Sequence, residues 1–223
     1  MGNQAWAFYE HHFGVARLRH YSAATGGDHD RAQLLYDWNT EISGAFWISL
    51  GHFEVSLRNT IDRRLSARHS RLGRTGHWIF DDAHELGRDR FGPNKHEYPF
   101  ADVSTAIARV RKNRKPIDSG QVISEVSFGF WHQLVSKKQT ALWPDLAGGF
   151  PHAPNRSQGT VHEPVKRLRD LRNRIGHHHR IWSLDIAGRF EDLSAVAGYI
   201  DPDLREWIRA TSQVPAVLAA KPA

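Results

Sequence analysis

The sequence contains no cysteine, and this absence excludes disulfide bonds and thiolate sites and fits a reducing compartment. It also has no run of about 18 consecutive apolar residues, the length that a membrane-spanning helix requires. Residues 1–19 contain no apolar stretch long enough for a signal peptide. We therefore expect a cytoplasmic protein that has no membrane partner.

Arginine and aromatic residues are abundant instead. The 223 residues include 8 Trp and 11 Phe, and 40% of them are hydrophobic, so a sizeable core is expected. The formal net charge is +6, and a basic balance of this kind favours an anionic partner, most often nucleic acid. The alternative is a basic surface that is well solvated and has no partner.

Helical periodicity is clearest between residues 31 and 69. Gly44 and Gly51 in this segment would bend the helix or let a neighbour approach closely. A single apolar stripe of such length is typical of a long bundle helix. The stripe has steps of three or four residues over about nine turns and consists of Leu35, Trp38, Ile42, Phe46, Leu50, Phe53, Leu57, Ile61 and Leu65.

The segments before and after this helix predict shorter elements. Residues 3–20 should form a leading helix, and residues 70–100 should form an irregular connection. A helix over 103–115 should be capped by Asp102 and stopped by Pro116. No strand-like alternation competes with these helices, so the predicted fold class is all-α.

Two further helices of substantial length are expected in the C-terminal half. One begins at Asp118 or Ser119 and runs through Leu134. The other begins at Thr160, whose spacing from Glu163 is that of a capping box. The remaining expected elements are a loop over 142–154, short helices near 188–199 and 202–212, and a frayed tail over 214–223.

The second of these helices contains the most informative run of residues. It reads Arg172, Asn173, Arg174, Ile175, Gly176 and His177. This run resembles the signature of HEPN domains, in which an arginine is followed by a polar residue and, after four to six intervening positions, by a histidine. Arg172, Asn173 and His177 meet that pattern.

Two other segments resemble the Abi-like (abortive infection) branch of the HEPN family. Residues 127–131, Ser-Phe-Gly-Phe-Trp, are similar to the aromatic segment that precedes the family motif. Residues 54–59, Glu-Val-Ser-Leu-Arg-Asn, are similar to its long-helix segment. The three matches occur in the order of the family and cover residues 31–183.

The resemblance implies a single HEPN-like domain over residues 1–223. Its parts would be a helical extension at 1–27, a bundle core at 31–183, C-terminal helices at 184–213 and the tail at 214–223. The resemblance also implies a metal-independent endoribonuclease that acts in phage defence or as a toxin. The implied partners are RNA, a second copy of the chain that completes the site, and an antitoxin or inhibitor protein. No cofactor is expected.

The residue types of the motif suit ribonuclease chemistry. Cleavage without a metal requires groups that deprotonate the 2′-hydroxyl, stabilise the phosphorane and protonate the leaving oxygen. Histidine suits proton transfer near neutral pH, so His177 is the candidate general base or acid. Arg172 would stabilise the phosphorane charge, and Asn173 would orient a phosphate oxygen or the imidazole.

Helical geometry separates the two ends of this motif. At about 100° per residue, Arg172 and His177 would project about 140° apart, whereas Asn173 and His177 would share a face. Two solutions are open. Either Gly176 ends the helix and releases His177, or a second copy of the chain completes the site.

Other residues beside the motif are assigned supporting or RNA-binding roles. A shifted register that pairs Arg174 with His179 has the same spacing, but Asn173 follows Arg172 and favours the first register. A second histidine after the motif is common in the Abi-like family. The supporting residues are His178, Arg174, Glu54 and Arg58.

Alternative interpretations of these side chains stay open at this point. The adjacent histidines 177–179 cannot all point at one ion and have no acidic residue at ligand spacing, so no metal site is expected. A structural Arg172 would pair with Asp170 or Glu54. The basic run over 109–115 is either a track for an RNA backbone or a solvated helix face. The competing function is a non-catalytic RNA- or protein-binding module.

Overall fold

Eleven α-helices make up most of the described chain, which is residues 2–92 and 95–222 of a computed structural model. No strand occurs in these ranges, so the predicted all-α fold class is confirmed. The predicted extension, connection and tail also include residues 1, 93–94 and 223, which lie outside this description. The helices are α1 (Gly2–Phe13), α2 (Val15–Ala24), α3 (His29–Arg71), α4 (Phe100–Lys112), α5 (Ser119–Glu125), α6 (Phe128–Leu134), α7 (Trp143–Leu146), α8 (Gln158–Gly176), α9 (Ile186–Ile200), α10 (Pro202–Thr211) and α11 (Val214–Ala219).

The longest element, α3, confirms the long helix predicted over 31–69. Asp28 caps it by accepting a hydrogen bond from the backbone N–H of Arg31 at 3.0 Å. Every residue of the predicted apolar stripe is buried. With 43 residues, α3 is about 65 Å long, and the helices of both the N-terminal and the C-terminal parts pack along it.

Two helices precede α3, where the sequence predicts one over residues 3–20. Gly14 separates α1 from α2 with a φ of +86°, a backbone conformation that favours glycine. Trp6 of α1 and Leu18 and Tyr21 of α2 are buried. The N-terminal extension is therefore a pair of helices that pack on the first turns of α3.

Asp102 does not cap α4, contrary to the prediction for a helix over 103–115. The helix begins earlier, directly after Pro99, and places Asp102 in its first turn. The carboxylate of Asp102 instead accepts a hydrogen bond from Nε2 of Gln133 at 2.6 Å. Asp102 therefore connects α4 to α6 across the bundle.

The single helix predicted from Asp118 to Leu134 is divided into α5 and α6. Asp118 caps α5, as predicted. The backbone of Val126 and Ser127 is extended, and this break reorients the aromatic segment that follows. After this break the rings of Phe128, Phe130 and Trp131 are all buried in the core, although they lie within four consecutive residues.

The capping box predicted at Thr160 and Glu163 does not form. Asn155 organises the start of α8, because its side-chain oxygen accepts hydrogen bonds from the N–H of Ser157 at 2.9 Å and from Oγ1 of Thr160 at 2.6 Å. The helix therefore begins at Gln158, ahead of the predicted start. Its buried face carries Val161, Val165, Leu168, Leu171 and Ile175.

The stretch predicted as a loop over 142–154 is partly helical. Pro144 lies in the first turn of α7, where the missing N–H of proline does little harm, so this proline starts a helix rather than preventing one. Short 3₁₀ segments, Lys137–Leu142 and Ala147–Gly149, flank α7. The side chains of Leu146 and Phe150 are buried.

The C-terminal helices near 188–199 and 202–212 are confirmed as α9 and α10, but the frayed tail predicted from Val214 is wrong. Residues Val214–Ala219 form α11, which packs on α3 and buries Val214 and Val217. Nε1 of Trp38 donates a hydrogen bond to the carbonyl of Val217 at 2.7 Å. Two buried valines and this hydrogen bond therefore attach α11 to α3.

One hydrophobic cluster of buried residues extends from Trp6 to Val217. It includes residues of the N-terminal pair, of α3 and of the C-terminal helices. None of the helices in the described part of the chain has the combined length and apolar character that crossing a bilayer requires.

Candidate active site at the end of helix α8

The predicted motif occupies the last turn of α8 and the residue after it. Gly176 is the last helical residue, and His177 is the C-cap. The chain then leaves the helix in a Schellman turn, in which the N–H of His179 donates to the carbonyl of Arg174 at 2.7 Å and the N–H of His178 also donates back to the helix. The helix break at Gly176 is therefore present.

His178 occupies the position in this turn that usually belongs to glycine. Its φ is +54°, the left-handed conformation that the turn requires there. Its carbonyl accepts a hydrogen bond from the guanidinium of Arg17 in α2. The turn is thereby attached to the N-terminal pair of helices, while the side chain of His178 is exposed.

Arg172 lies on the side of α8 that faces α3. Its guanidinium carbon is 5.2 Å from the ring centroid of Trp47, a distance at which cation and ring attract each other. Its Nε is 3.9 Å from Oε2 of Glu54. Within the described residues, no hydrogen bond is made by the Arg172 side chain, so its donors are not taken by a protein acceptor.

Glu54 and Arg58 of α3 lie beside Arg172. Burial raises the pKa of Glu54, and the positive charges of Arg172 and Arg58 only partly oppose this rise. Nε of Arg58 is buried and has no hydrogen-bond partner among the described residues. The pairing of Arg172 with Glu54, which a structural role would require, is thus present but long and without hydrogen bonds.

The side chains of His177, His178 and His179 are exposed. The rings of His177 and His179 lie near each other, with centroids 5.8 Å apart. No hydrogen bond, ion pair or ring contact joins His177 to Arg172 in the described part of the chain. The two ends of the motif therefore do not contact each other within one protomer, although the helix ends at Gly176.

A cavity of about 370 Å³ lies between the turn that follows α8 and the middle of α3. One wall is the ring of Trp47, which is 47% exposed and also stacks on Arg172. The polar lining residues are Arg17, Asn39, Thr40, Ser43, His178 and His179.

Two side chains, those of Asn39 and Arg174, hold the chain that follows the motif. The side-chain oxygen of Asn39 accepts hydrogen bonds from the N–H of Ile181 at 2.7 Å and of Trp182 at 3.1 Å. Nη2 of Arg174 donates to the carbonyl of Arg180 at 2.8 Å. Arg174, which the sequence predicts as a supporting phosphate contact, therefore uses part of its guanidinium to hold the turn.

Asn173 is exposed and lines a second cleft, which lies between α6 and α8. The side chain of Asn173 therefore opens onto a different surface from that of Arg172, which packs against α3. Arg172, Asn173 and His177 are close in sequence, but the structure distributes them over two faces and one end of α8.

Three residues beside the motif are not identified by sequence reasoning: Trp47, Arg17 and Asn39. A signal exists for Trp47, because Phe46 and Trp47 are adjacent on a helix and only one of them can lie on the buried stripe. Asn39 and Arg17 act on backbone groups that are 142 and 161 positions away. No local pattern reports contacts of that range.

No group of three or more histidine, aspartate or glutamate side chains in residues 2–92 and 95–222 is arranged to hold a metal ion. Comparison of this chain with models of known protein families, with curated proteins and with solved structures gives no match.

Proposed function

We propose that the protein is a metal-independent endoribonuclease of the HEPN type, in which Arg172, Asn173 and His177 form half of the active site. The observation that carries the proposal is the arrangement at the end of α8. There, an exposed His177 follows an arginine whose N–H donors are not taken by the described residues. An arginine with a purely structural role would make short hydrogen bonds to its carboxylate, as Arg68 does elsewhere in this chain.

The reaction proposed for this site is transfer of the phosphoryl group to the neighbouring 2′-oxygen of the RNA. The 2′-oxygen forms a bond to phosphorus while its proton passes to a base, and the bond from phosphorus to the 5′-oxygen breaks. An acid returns a proton to that oxygen, which gives a 2′,3′-cyclic phosphate and a 5′-hydroxyl end. His177 would act as base or acid, and the guanidinium of Arg172 would stabilise the phosphorane.

A homodimer is part of this proposal, because Arg172 and His177 make no contact within the described protomer and a second copy of the chain would supply the missing partner of each. Exposed apolar side chains on α3 support such an interface: Trp47, Ile48 and Val55 are 47%, 60% and 44% exposed, and Trp47 contacts Arg172. Nothing lies within 4 Å of a Cβ built on Gly44 or Gly51, so a neighbour can approach α3 closely. A two-fold axis at this face would bring two motifs together.

A non-catalytic RNA- or protein-binding module is the second candidate. The observation that favours it is the absence of contact between Arg172 and His177 within the described protomer. In that case, the exposed histidines and the cavity beside Trp47 would bind a partner without cleaving it.

An RNA cleavage assay in EDTA separates the two functions. Wild-type protein should cleave single-stranded RNA to cyclic phosphate ends but leave the 2′-deoxy analogue intact, and Arg172→Ala and His177→Ala should each abolish cleavage. Arg156→Ala and His152→Ala are the matched controls, since both residues are exposed and distant in sequence from the motif. Absence of cleavage by the wild type, or cleavage by the motif variants at the wild-type rate, would refute the ribonuclease proposal.

The interface is tested by light scattering. We expect Ile48→Glu to convert a dimer into a monomer and to abolish cleavage, because it places a charge at the proposed two-fold contact. Val15→Glu is the control, since Val15 is also 60% exposed but lies on α2. A wild-type monomer at the concentration of the cleavage assay would contradict the shared site.

The proposed biological role is phage defence by abortive infection, or action as a toxin held in check by an antitoxin. This role is supported by the resemblance of the motif segments to the Abi-like family. Expression of the wild-type protein in bacteria should stop growth, and expression of His177→Ala should not. Growth arrest by both proteins at equal expression would contradict a role that depends on RNA cleavage.

A further inference from the structure

The cleft that Asn173 shares with α6 has an excess of positive charge. It has a volume of about 640 Å³ and lies between α6, α8 and the 3₁₀ segment Lys137–Leu142. Two carboxylates share its walls, and both are engaged: Asp102 accepts from Gln133, and Asp170 accepts from Arg169 at 2.6 Å. The cations that line the cleft are Lys137, Lys138, Lys166 and Arg169.

The three lysines of this cleft are exposed. None of them forms an ion pair within residues 2–92 and 95–222. Surface lysines alone are commonly just solvated, so their charge shows only that an anion would be attracted. A more specific indication of an anionic ligand comes from a buried histidine in the wall of the same cleft.

That buried group is His132 of α6, which is 7% exposed. Its Nδ1 lies 3.2 Å from Nη1 of Arg169. A guanidinium can only donate hydrogen bonds, so Nδ1 must be the acceptor and the ring proton must be on Nε2. Nε2 is buried and has no hydrogen-bond partner among the described residues. His132 is one of the residues that line the cleft, so a buried N–H donor without a partner lies in the cleft wall.

The neutral state of His132 agrees with this assignment. Burial lowers the pKa of His132 to about 4, and the nearby charge of Arg169 adds to the effect. The ring of His162 lies against it, with centroids 5.2 Å apart, and closes one side of the wall. A buried donor without an acceptor is unfavourable, so an anionic oxygen that accepts a hydrogen bond from Nε2–H would stabilise the protein.

We propose that this cleft binds backbone phosphates of RNA, with Nε2–H of His132 donating to a phosphate oxygen and the three lysines neutralising the phosphates beside it. Arg169 acts as a positioning residue, because its donors are directed at His132 and Asp170. The choice of RNA as the source of the phosphate rests on the proposed ribonuclease function. Asn173, at the wall of the cleft, connects it to the motif.

Binding of a 2′-O-methyl oligonucleotide tests the proposal without any cleavage, since this analogue has no free 2′-hydroxyl. Fluorescence anisotropy with full-length protein should show that Lys137→Ala/Lys138→Ala weakens binding about tenfold and lowers the salt dependence. Arg205→Ala/Arg209→Ala is the matched control, because this exposed pair lies on α10 and outside the cleft. A loss in the α10 variant as large as that in the cleft variant would overturn the proposal.

The role of His132 is tested on the same ligand in two ways. His132→Phe keeps an aromatic ring but removes the donor, and we expect binding to weaken about fivefold. If this variant does not fold, the wild-type protein answers the question through long-range ¹H–¹⁵N spectra of its imidazole rings. The oligonucleotide should shift the Nε2 resonance of His132 in a saturable way, and an unchanged resonance at saturation would refute the contact.

The two proposals fail in distinguishable ways. Oligonucleotide binding that depends on the cleft, with no cleavage of ordinary RNA, would refute the ribonuclease and keep the cleft. Normal RNA cleavage with binding that is insensitive to Lys137, Lys138 and His132 would refute the cleft and keep the ribonuclease.

Discussion

Two contacts between arginine and glutamate, one near the end of α3 and one near its middle, differ in geometry. Near the end of α3, Arg68 donates to both oxygens of Glu85, at 2.5 and 2.8 Å, and Arg74 adds a second fork. In the middle of α3, the closest carboxylate oxygen to Arg172 is that of Glu54 at 3.9 Å, with Trp47 stacked on the guanidinium. The first arrangement uses the arginine donors to hold the fold, and the second leaves them for another acceptor.

The two glutamates report this difference through their pKa values. At Glu85, burial favours the neutral form, but the hydrogen bonds and charges of Arg68 and Arg74 outweigh it and lower the pKa to about 2. At Glu54, burial prevails and raises the pKa despite Arg172 and Arg58. An arginine that donates hydrogen bonds to a partly buried glutamate lowers the pKa of that glutamate, whereas an arginine that lies near it without hydrogen bonds does not overcome the effect of burial.

The largest effect that this comparison predicts is on catalysis. Arg172→Lys should reduce the rate of RNA cleavage about 100-fold or more, because an ammonium lacks the planar fork that suits a phosphorane. The midpoint of thermal unfolding should hardly change. Arg74→Lys, the control at the other place, should lower that midpoint and leave the cleavage rate at permissive temperature unchanged. Loss of stability in Arg172→Lys as large as that in Arg74→Lys would remove the distinction.

The next effect is on stability. Glu85→Gln should lower the free energy of unfolding by about 2 kcal/mol, because it leaves two forked arginines without a charged acceptor. Glu54→Gln should change it by less than about 0.5 kcal/mol, because a long and partly exposed ion pair contributes little. Urea unfolding of both variants at neutral pH gives the comparison. Equal losses would show that the two arginine sites are alike.

Acid should weaken the fold in two separable steps. The pKa of His132 is about 4 in the folded chain and 6.5 as the ordinary value, so the unfolded chain binds this proton first and stability falls between these values as pH drops. The pKa of Glu85 is about 2 against 4.5, so its contribution is complete above pH 4.5 and is lost as pH falls towards 2. Urea unfolding as a function of pH should lack the first step in His132→Phe and the second step in Glu85→Gln.

The smallest effect is expected at the end of α8. A Cβ on Gly176 would lie 3.7 Å from Nη1 of Arg172 and 3.8 Å from the ring of Trp47, which are ordinary contacts. Gly176→Ala should therefore change the free energy of unfolding by less than about 0.5 kcal/mol and preserve RNA cleavage. Gly188→Ala is the contrast, since its Cβ would meet the carboxylate of Asp185 that caps α9. A larger loss in Gly176→Ala would show that the guanidinium needs more room than the structure gives it.

Sequence patterns predict several parts of the fold that depend on local spacing, although the local caps expected at Asp102 and Thr160 do not form. The α3 stripe, the cap at Asp118 and the helix end at Gly176 all follow from residues that are near neighbours in the chain. The break at Ser127 and the packing of α11 do not. They depend on which side chains find partners elsewhere, such as the rings after Ser127 and the carbonyl that Trp38 binds.

The candidate site divides in the same way. The sequence predicts that Arg172 and His177 do not converge on one helix, and helical spacing is enough for that prediction. It does not predict the stacking of Arg172 on Trp47 or the proton on Nε2 of His132, because each needs a residue from another helix. The residue types at the candidate site can therefore be read from the sequence, whereas the partner of each hydrogen-bond donor cannot.

The turn that follows α8 is already held before any ligand binds. Arg17 bonds to the carbonyl of His178, Arg174 bonds to that of Arg180, and Asn39 holds the N–H groups of Ile181 and Trp182. A segment that orders only on binding buries extra surface and gives a large negative change in heat capacity. RNA, the proposed ligand, would meet a turn that is already ordered, so calorimetry should record only the change in heat capacity of the surface that the RNA itself covers. In the proposed complex the nucleic acid would adjust its shape on binding, and the protein would not.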